Sequence, residues 1–314
     1  MLLAVHYTQP AEWRWYILAY FLLAGLAGGC YTLGTMLRLW GRPSDEPAAR
    51  LCFLLALPLT IACPILLTID LGHPLRFWHM LIDTGAAGPA LSFKYWSPMS
   101  LGAWGLLVFG VFATLTFLEV VALDRRYPYP LSGFVARVLG GPLGRVVNVI
   151  GTVFALFVAG YTGVLLSVSN QPVWSDTYAL GGLFLASGLG GAAALVTLAT
   201  RWRPGAAASD GVIQDADGYF SILEVAFLVA LVVTLAVAGQ LARALAVPWV
   251  VLWAIVLLSL VPPVAARLGG SGLVAGAGGA AAVERVRASG TAAAILVLVG
   301  IVALRAAVLW SAQA

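Results

Sequence analysis

The chain has 314 residues, of which 61% are apolar and only 10% are charged. Soluble globular domains carry roughly 25% charged residues, so this composition excludes a water-soluble globular protein. The high hydrophobicity also excludes a disordered chain. The mean hydropathy of +0.98 indicates a protein that lies mostly in lipid.

Eight long stretches without charged residues follow one another along the chain, and we predict a transmembrane helix in each. A helix needs about 20 residues to cross the hydrocarbon core of a bilayer, so the fold class is predicted to be an all-α integral membrane protein. The uncharged segment Leu268–Val283 contains six glycines, which are poor helix formers, and we expect a loop there. The predicted spans cover about residues 15–37, 51–69, 97–119, 147–169, 177–200, 222–242, 247–266 and 290–310.

Basic residues are distributed unequally between the two sets of predicted loops. Positive charge is retained on the cytoplasmic side, so the loops after spans 1, 3, 5 and 7 are predicted to be cytoplasmic and both termini to lie outside. The first 13 residues lack the basic start of a signal peptide, and we expect the first helix to be retained. The net charge of +4 is accounted for by this topology, so a nucleic-acid partner is not predicted. The cytoplasmic set is Arg38, Arg42, Arg50, Arg125, Arg126, Arg137, Arg145, Arg201, Arg203, Arg267, Arg285 and Arg287, and the outer set is Arg14, Arg76, Lys94, Arg243 and Arg305.

The sequence offers few ligands for a redox centre. Cys30, Cys52 and Cys63 fall in predicted spans without a C-x-x-C pair, so neither an iron–sulfur cluster nor a structural zinc is expected in this chain. No predicted span contains a histidine, so a transmembrane haem is not expected either. If the protein takes part in electron transfer, a partner must supply the redox centres.

The outer segment Asp70–Ser100 has an unusual concentration of ionisable and aromatic residues. An aromatic belt at the membrane interface explains the tryptophans and tyrosines but does not explain Asp70, which ends span 2 close to His73 and Arg76. Ionisable groups near membrane depth are candidates for function, and histidine exchanges protons near neutral pH. Two interpretations remain open: an ion pair of Asp70 with Arg76 that fixes the loop, or proton transfer by Asp70 or His73.

Four sequence strings, in chain order, resemble the NrfD/PsrC family of membrane anchor subunits. The strings are YILAYFLLAGLAGG (16–29), IDLGHPLRFW followed by SPMSLGAWG (69–78 and 97–105), GYTGVLLSVSNQPVW (160–174) and GIVALRAAVL (300–309). His73 stands where the family generally has an arginine. Together the strings cover the chain from end to end.

The resemblance implies a quinone-reactive subunit with two four-helix bundles, over residues 1–174 and 175–314, in the inner membrane of a prokaryote. It implies menaquinone or ubiquinone as an exchangeable cofactor, an iron–sulfur subunit of the four-cluster ferredoxin type, and a catalytic subunit that holds molybdopterin. Homodimerisation of the complex is left open. The family's quinone-contacting positions in span 1 correspond to Ile17 and Tyr20, and its tyrosine in span 4 corresponds to Tyr161.

These considerations give a set of candidate residues in distinct roles, each with a structural alternative. Tyr20 could be an interface anchor, Asn170 and Trp174 belt or turn residues, and Arg305 a side chain that extends outward to the interface. Glu119 and Glu224 are placed at the inner ends of spans 3 and 6, as interfacial charges or as the mouth of a proton path. The quinone candidates are Tyr20, Tyr161, Asp70, His73, Arg76, Asn170 and Trp174; the proton-exchange candidates are Asp70 and His73; the docking candidates are His73, Arg76, Trp78, His79 and Lys94; and Arg305 is a candidate for a buried ion pair.

Two other functions are compatible with the composition. A secondary transporter would show inverted repeats with broken helices near the membrane midplane, and the prolines do not recur at matching positions in the two halves. A purely structural anchor without a quinone site is the other alternative.

Overall fold

The computed structural model describes residues 11–84, 88–124, 129, 131–268 and 280–313. Most of the glycine-rich segment that was predicted to be a loop lies outside these ranges. The α-helices of the described part are α1 (Trp15–Trp40), α2 (Glu46–Asp70), α3 (Pro98–Asp124), α4 (Ser132–Leu139), α5 (Pro142–Ser167), α6 (Ala179–Ala199), α7 (Asp210–Ala238), α8 (Leu241–Ala244), α9 (Trp249–Leu268) and α10 (Ala280–Ser311). The 3₁₀ helices are Pro43–Asp45, Pro74–Met80, Thr200–Trp202 and Pro204–Ser209, and a short antiparallel pair joins β1 (Ile82–Asp83) to β2 (Ala90–Leu91).

Eight of these helices are long and apolar enough to cross a membrane, namely all except α4 and α8. The prediction of a helical protein with eight spans is confirmed, and the chain is a multi-pass membrane protein. The clearest differences in bounds concern α7, which begins 12 residues before its predicted span (222 − 210), and α10, which begins 10 residues before (290 − 280). Acidic residues at the start of α7 interrupt the uncharged stretch without ending the helix. Its C-terminus is set by Gly239, whose φ of +75° is the left-handed conformation that commonly ends a helix.

The spanning helices form two rings of neighbours. In the first ring α1 contacts α2, α2 contacts α3, α3 contacts α5, and α5 returns to α1. In the second ring α6, α7, α9 and α10 contact one another in the same cyclic manner. The rings meet where α1 and α5 pack on α6 and where α1 touches α10, so α1 and α6 are the central helices.

Glycines on α1 permit this close approach. A Cβ atom at Gly28 would lie 2.3 Å from the carbonyl oxygen of Ala155 on α5, and one at Gly29 would lie 2.5 Å from the carbonyl oxygen of Gly188 on α6. Small residues at helix contacts allow backbones to approach in membrane proteins. The close packing of α1 against α5 and α6 therefore depends on the absence of side chains at these positions.

Two opposite ends of the helical array are used as references below. At the terminal end, the backbone N–H of Trp13 donates to Oε1 of Gln313 over 2.6 Å, so the first and last described segments lie together. At the basic end, the Ser209 hydroxyl donates to the buried carboxylate of Asp45 over 2.7 Å, which joins the α1–α2 connection to the α6–α7 connection. The segment Leu71–Ser97 belongs to the terminal end, because it joins the last residue of α2 to the first of α3.

Candidate functional site

Tyr20 on α1 lies inside the first ring, toward its terminal end. Its side chain is 4% exposed and is within electrostatic range of the Cys63 thiol on α2 and the Tyr161 hydroxyl on α5. This burial contradicts the alternative that Tyr20 is an interface anchor, since an anchor keeps its hydroxyl in the polar headgroup region. Within the described part of the chain, its hydroxyl has no hydrogen-bond partner.

Tyr161 is also buried, but its hydroxyl is engaged. It donates to the carbonyl oxygen of Pro98, the first residue of α3, and its ring stacks on Phe157 with centroids 5.3 Å apart. Gly102 makes room for the ring, because a Cβ there would lie 2.4 Å from Cε1 of Tyr161. Tyr161 therefore fixes the start of α3, while its oxygen keeps the ability to accept a hydrogen bond.

Asp70 ends α2 and is half-buried, within interaction range of the Tyr16 hydroxyl of α1. Tyr16 was not among the sequence candidates. The signal that could have found it is its spacing of four residues from Tyr20, which places both on one face of a helix. Cys63 and Asp70 are likewise seven residues apart, so one face of α1 meets one face of α2 and aligns Asp70, Tyr16, Tyr20 and Tyr161 in a polar column. We call these four residues the tyrosine column.

The proposed ion pair between Asp70 and Arg76 is not observed: in the described residues these two side chains are not within 4.0 Å of each other. Arg76 and His73 both lie exposed in the segment that follows α2. The structural alternative for Asp70, a fixed pair that locks the loop, therefore has no support in the geometry.

The described residues between α2 and α3, 71–84 and 88–97, form an exposed cap that we call the loop surface. It is fixed to α3 by Nε1 of Trp104, which donates to the Ser92 carbonyl over 3.0 Å, and by the Lys94 amide, which donates to Oγ of Ser100 over 3.0 Å. Exposed apolar and basic side chains alternate on it, a composition that marks interaction sites when the patch is large. Its exposed members include Leu75, Arg76, Phe77, Trp78, His79, Phe93, Lys94, Tyr95 and Trp96.

Trp174 does not belong to the tyrosine column. It is fully buried, its indole N–H donates to the Val308 carbonyl of α10 over 2.8 Å, and its ring stacks on Trp13 at 5.2 Å. The belt alternative is wrong for Trp174, because a belt residue lies at the lipid boundary. Asn170 lies exposed after α5. Of the seven quinone candidates, Tyr20 and Tyr161 lie together in the interior with Asp70 at their outer limit, while Trp174 is buried elsewhere.

At the basic end, Glu119 is paired rather than open. Arg38 donates from Nη1 to both carboxylate oxygens of Glu119, at 3.2 and 3.0 Å, and also reaches Glu46 at 3.1 Å, which in turn accepts from Arg50 at 2.9 Å. The position of Glu119 near the end of its helix agrees with the sequence interpretation. Its pairing with Arg38 gives it a structural role at the junction of α1, α2 and α3.

A cluster of polar side chains lies behind this ion pair. The Tyr31 and Thr116 hydroxyls are 2.9 Å apart, Thr116 donates to Oδ1 of Asn148 over 3.1 Å, and Nδ2 of Asn148 is buried without a hydrogen-bond partner. Sequence reasoning missed this cluster, because single polar residues within an apolar span carry no spacing signal.

Glu224 lies in the middle of its helix, which corrects the sequence interpretation. It is 14 residues from the first residue of α7, or about 21 Å along the axis, and 5% exposed. The prediction placed it at an inner helix end because Asp210, Asp215 and Asp217 were assigned to a loop. These acidic residues lie in the first turns of α7, so the interior of the helix is longer than the uncharged stretch.

Arg305 is also corrected. It is completely buried and donates to carbonyls of three helices: Phe21 of α1 at 3.1 Å, Phe184 of α6 at 3.3 Å and Ile301 of α10 at 3.4 Å. It also donates to the Ser187 hydroxyl over 3.0 Å. An outward, interfacial conformation is therefore wrong, because α1 and α6 enclose the side chain.

The part of the chain that the structure describes contains no group of three or more histidine, cysteine or acidic side chains placed to hold a metal ion. Cys30, Cys52 and Cys63 are buried free thiols. Cys63 lies beside Tyr20, so it is the cysteine nearest to the tyrosine column.

Comparison with known proteins gives three relatives with similar sequence identity to this chain. "Protein NrfD" of Escherichia coli (strain K12) is 27% identical over 212 residues, which cover 64% of this chain and 63% of that protein. A polysulfide reductase chain of Wolinella succinogenes is 29% identical over 191 residues, covering 59% of this chain and 57% of that protein. A selenate reductase subunit of Mesobacillus selenatarsenatis is 28% identical over 118 residues, covering 38% and 25%. The chain thus covers less than two thirds of the length of each.

At family level the match extends over nearly the whole chain. Residues 4–314 match the family described as "Polysulphide reductase, NrfD". All eight spanning helices, the tyrosine column and the loop surface fall inside this range. The chain belongs to the NrfD family.

Proposed function

We propose that the chain is the membrane anchor subunit of an oxidoreductase complex and that it exchanges electrons between membrane quinone and an iron–sulfur partner subunit. Family membership supports the anchor role, as do relatives named as parts of a polysulfide reductase and of a selenate reductase. The small number of redox ligands in the chain agrees with this division of labour, in which partners hold the clusters and the catalytic molybdopterin.

The observation that carries the quinone site is the position of Tyr20, whose side chain is 4% exposed and whose hydroxyl makes no hydrogen bond with a described residue. A quinone oxygen at this point would accept a hydrogen bond from this hydroxyl. Tyr20 would donate to one quinone oxygen, and apolar side chains of α1, α2 and α5 would enclose the flat ring. Tyr161 would contribute its remaining acceptor capacity and the fixed start of α3.

The proton path of the proposal follows the tyrosine column outward. A bound quinol supplies two electrons and two protons when it is oxidised. Tyr16 lies one helical turn from Tyr20 and within interaction range of Asp70, so the carboxylate can accept a proton at the edge of the bundle. His73, three residues beyond and exposed, would pass it to water.

The loop surface is the proposed docking area for the iron–sulfur subunit. Its exposed aromatic and basic side chains are the types enriched at protein interfaces, and it begins directly after Asp70, the outer member of the tyrosine column. A cluster seated there would be near the electron donor. The proposed contacts are His73, Arg76, Trp78, His79 and Lys94.

The proposed arrangement in the membrane consists of two four-helix bundles, residues 1–174 and 175–314, with the terminal end on the periplasmic side of a prokaryotic inner membrane. The two rings of helix contacts support the bundles. The concentration of arginines at the other end supports the orientation.

A second candidate function is a purely structural anchor. The hydrogen bond from Tyr161 to Pro98 favours it, because it gives this tyrosine a packing role that needs no quinone. Quinol-linked turnover of the purified complex separates the two candidates when Tyr20→Phe and Asp70→Asn are compared with Tyr178→Phe, a control at an exposed tyrosine. We expect turnover to fall roughly 100-fold in Asp70→Asn, as for loss of a proton-transfer group. Unchanged turnover in both variants, with the complex assembled, would favour the structural anchor.

A further inference from the structure

The second ring contains acidic side chains that the proposed quinone site does not use. Asp217, Ser221 and Glu224 follow one another on α7 at spacings of four and three residues, which places them on one helix face. Ser221 and Glu224 are both buried. Asp217 and Glu224 lie about 10 and about 21 Å from the start of α7, so they lead from the basic end toward the middle of the helix.

Both carboxylates lack the partners that buried acids normally have. Oδ1 of Asp217 is buried without a hydrogen bond and is directed at Gly190 of α6, where a Cβ would lie 3.5 Å away. Glu224 forms no hydrogen bond, and no ion pair within 4.0 Å, with any residue that the structure describes. An ionised carboxylate in such a place is strongly disfavoured relative to its neutral form.

Glu119 provides the comparison within the same protein. It is buried to the same degree as Glu224, but Arg38 donates to both of its oxygens. One buried glutamate is therefore paired with a cation, while the other makes no ion pair with a described residue.

Arg305 supplies the opposing influence on Glu224. Each is within electrostatic range of the other, and Asp217 is within range of Glu224. The hydrogen-bond acceptors of Arg305 are three carbonyls and the Ser187 hydroxyl, all neutral. The positive charge thus favours ionised Glu224 while burial favours the neutral acid.

The other charged groups on the elements packed against α7 lie toward its two ends. Arg267 of α9 packs on Gly218 and on the ring of Tyr219, nearer the basic end than Glu224. Arg243 lies on α8, beyond the terminal end of α7. Helix α6 contributes the Ser187 hydroxyl, and α9 contributes the buried Ser259 hydroxyl. Arg305 and Asp217 are therefore the charges that act on Glu224.

We propose that Glu224 is a proton-binding site inside the second ring, filled from the basic end by way of Asp217. A proton from water at the basic end binds a carboxylate oxygen of Asp217 and passes to Glu224, about 10 Å further along the helix, by way of the Ser221 hydroxyl and water; it returns by the same route, and no electron is exchanged. Neutralising Glu224 removes the negative charge that faces Arg305. Because Arg305 donates to the Phe21 carbonyl beside Tyr20, the proton is linked to the first ring; only this last link rests on the proposed quinone site.

Infrared difference spectroscopy of the full chain in lipid tests the site without quinone or partners. We expect a carbonyl-stretch band of a protonated carboxyl group that titrates with pH. It should be absent in Glu224→Gln, shifted in Glu224→Asp and unchanged in Glu119→Gln. A titrating band that is identical in wild type and Glu224→Gln would overturn the site, as would the absence of any such band in wild type.

The route is tested by pH jumps applied to one side of proteoliposomes. The basic end is identified by labelling of Gly133→Cys, an exposed position with open space around it, with a membrane-impermeant thiol reagent. We expect the band to respond quickly to a jump at the basic end and roughly 100-fold more slowly in Asp217→Asn. The route would be overturned if the band responded faster to a pH jump on the terminal side, or if its response rate were unchanged in Asp217→Asn. Asp217→Asn and Glu224→Asp keep the test valid if Glu224→Gln does not fold.

Discussion

Nε of Arg305 on α10 donates to the carbonyl oxygen of Phe21 on α1 across 3.1 Å, and the two residues are 284 positions apart in the chain. Phe21 and Ile301, whose carbonyls accept from Arg305, both lie in spanning helices. Each carbonyl oxygen has two lone pairs, so it can accept from Arg305 in addition to its helix hydrogen bond. One guanidinium thereby joins the last helix to the two central ones. The planar guanidinium donates to carbonyls of three helices at once, an arrangement that a lysine ammonium does not reproduce.

We predict that Arg305→Gln weakens the junction of the two rings. Each buried polar group that loses its partner costs roughly 1–3 kcal/mol, so the apparent free energy of unfolding in mixed micelles should fall by several kcal/mol. Arg305→Lys should recover only part of the loss. Arg14→Gln, at an exposed arginine near the start of α1, is the control, and an equal effect of the two Gln variants would contradict the prediction.

Gly25→Ala should disturb the same junction from the other side. Its Cβ would lie 2.6 Å from Nη2 of Arg305 and 3.4 Å from the Cα of Gly188, so the guanidinium must move. We expect lower stability, and an effect that is smaller in the Arg305→Gln background, because the two changes remove one interaction. Gly110→Ala, whose Cβ meets nothing closer than 4.0 Å, is the matched control in a spanning helix. Additive effects would show that the clash is not with Arg305.

The buried ion pair of Arg38 and Glu119 at the basic end should matter more for the free energy of unfolding than the partly exposed pair of Arg50 and Glu46. The side chains of Arg38 and Glu119 are 10% and 6% exposed, and removal of one member of a buried pair costs about 3–5 kcal/mol. Glu119→Gln should therefore destabilise the protein far more than Arg50→Gln, since partly exposed pairs contribute about 0–1 kcal/mol. Denaturation midpoints of the two variants make the comparison. A larger loss in Arg50→Gln would contradict the assigned order.

Tyr161→Phe should lower stability, whereas Tyr20→Phe should lower quinol-linked turnover. Tyr161→Phe removes the hydrogen bond to the Pro98 carbonyl and should lower stability by about 1 kcal/mol. Tyr20→Phe removes an unpaired hydroxyl, so stability should stay the same or rise while quinol-linked turnover falls. Thermal unfolding and turnover are measured on the same preparations, and a loss of stability in Tyr20→Phe without a change in turnover would contradict the assignment.

The sequence was sufficient for the number of spans, because charge is expensive in lipid and its positions delimit the apolar stretches. It was misleading at α7, where acidic residues continue a helix that the charge pattern ends, and so Glu224 was placed at the end of a span and not in its middle. Arg305 shows the same limit: a charge near a helix end can extend to the interface or be enclosed, and only the packing of α1 and α6 decides which.

The candidate site was predictable in part. Tyr20, Tyr161 and Asp70 were identified from the sequence, and the structure brings the two tyrosines together in the interior. Tyr16 could have been found from its helical spacing, whereas the enclosure of Trp174 between Trp13 and α10 depends on contacts across 134 residues. Local sequence carries no information about such pairs.

Photolabelling of the full complex in lipid with an azido derivative of menaquinone is the most direct test of the quinone site. Mass spectrometry of the labelled peptides locates the adduct on the chain. The site predicts label on α1, α2 or α5 within about one turn of Tyr20, Cys63 or Tyr161, and loss of that label with excess menaquinol. Label confined to the second ring, or label that excess menaquinol does not reduce, would contradict it.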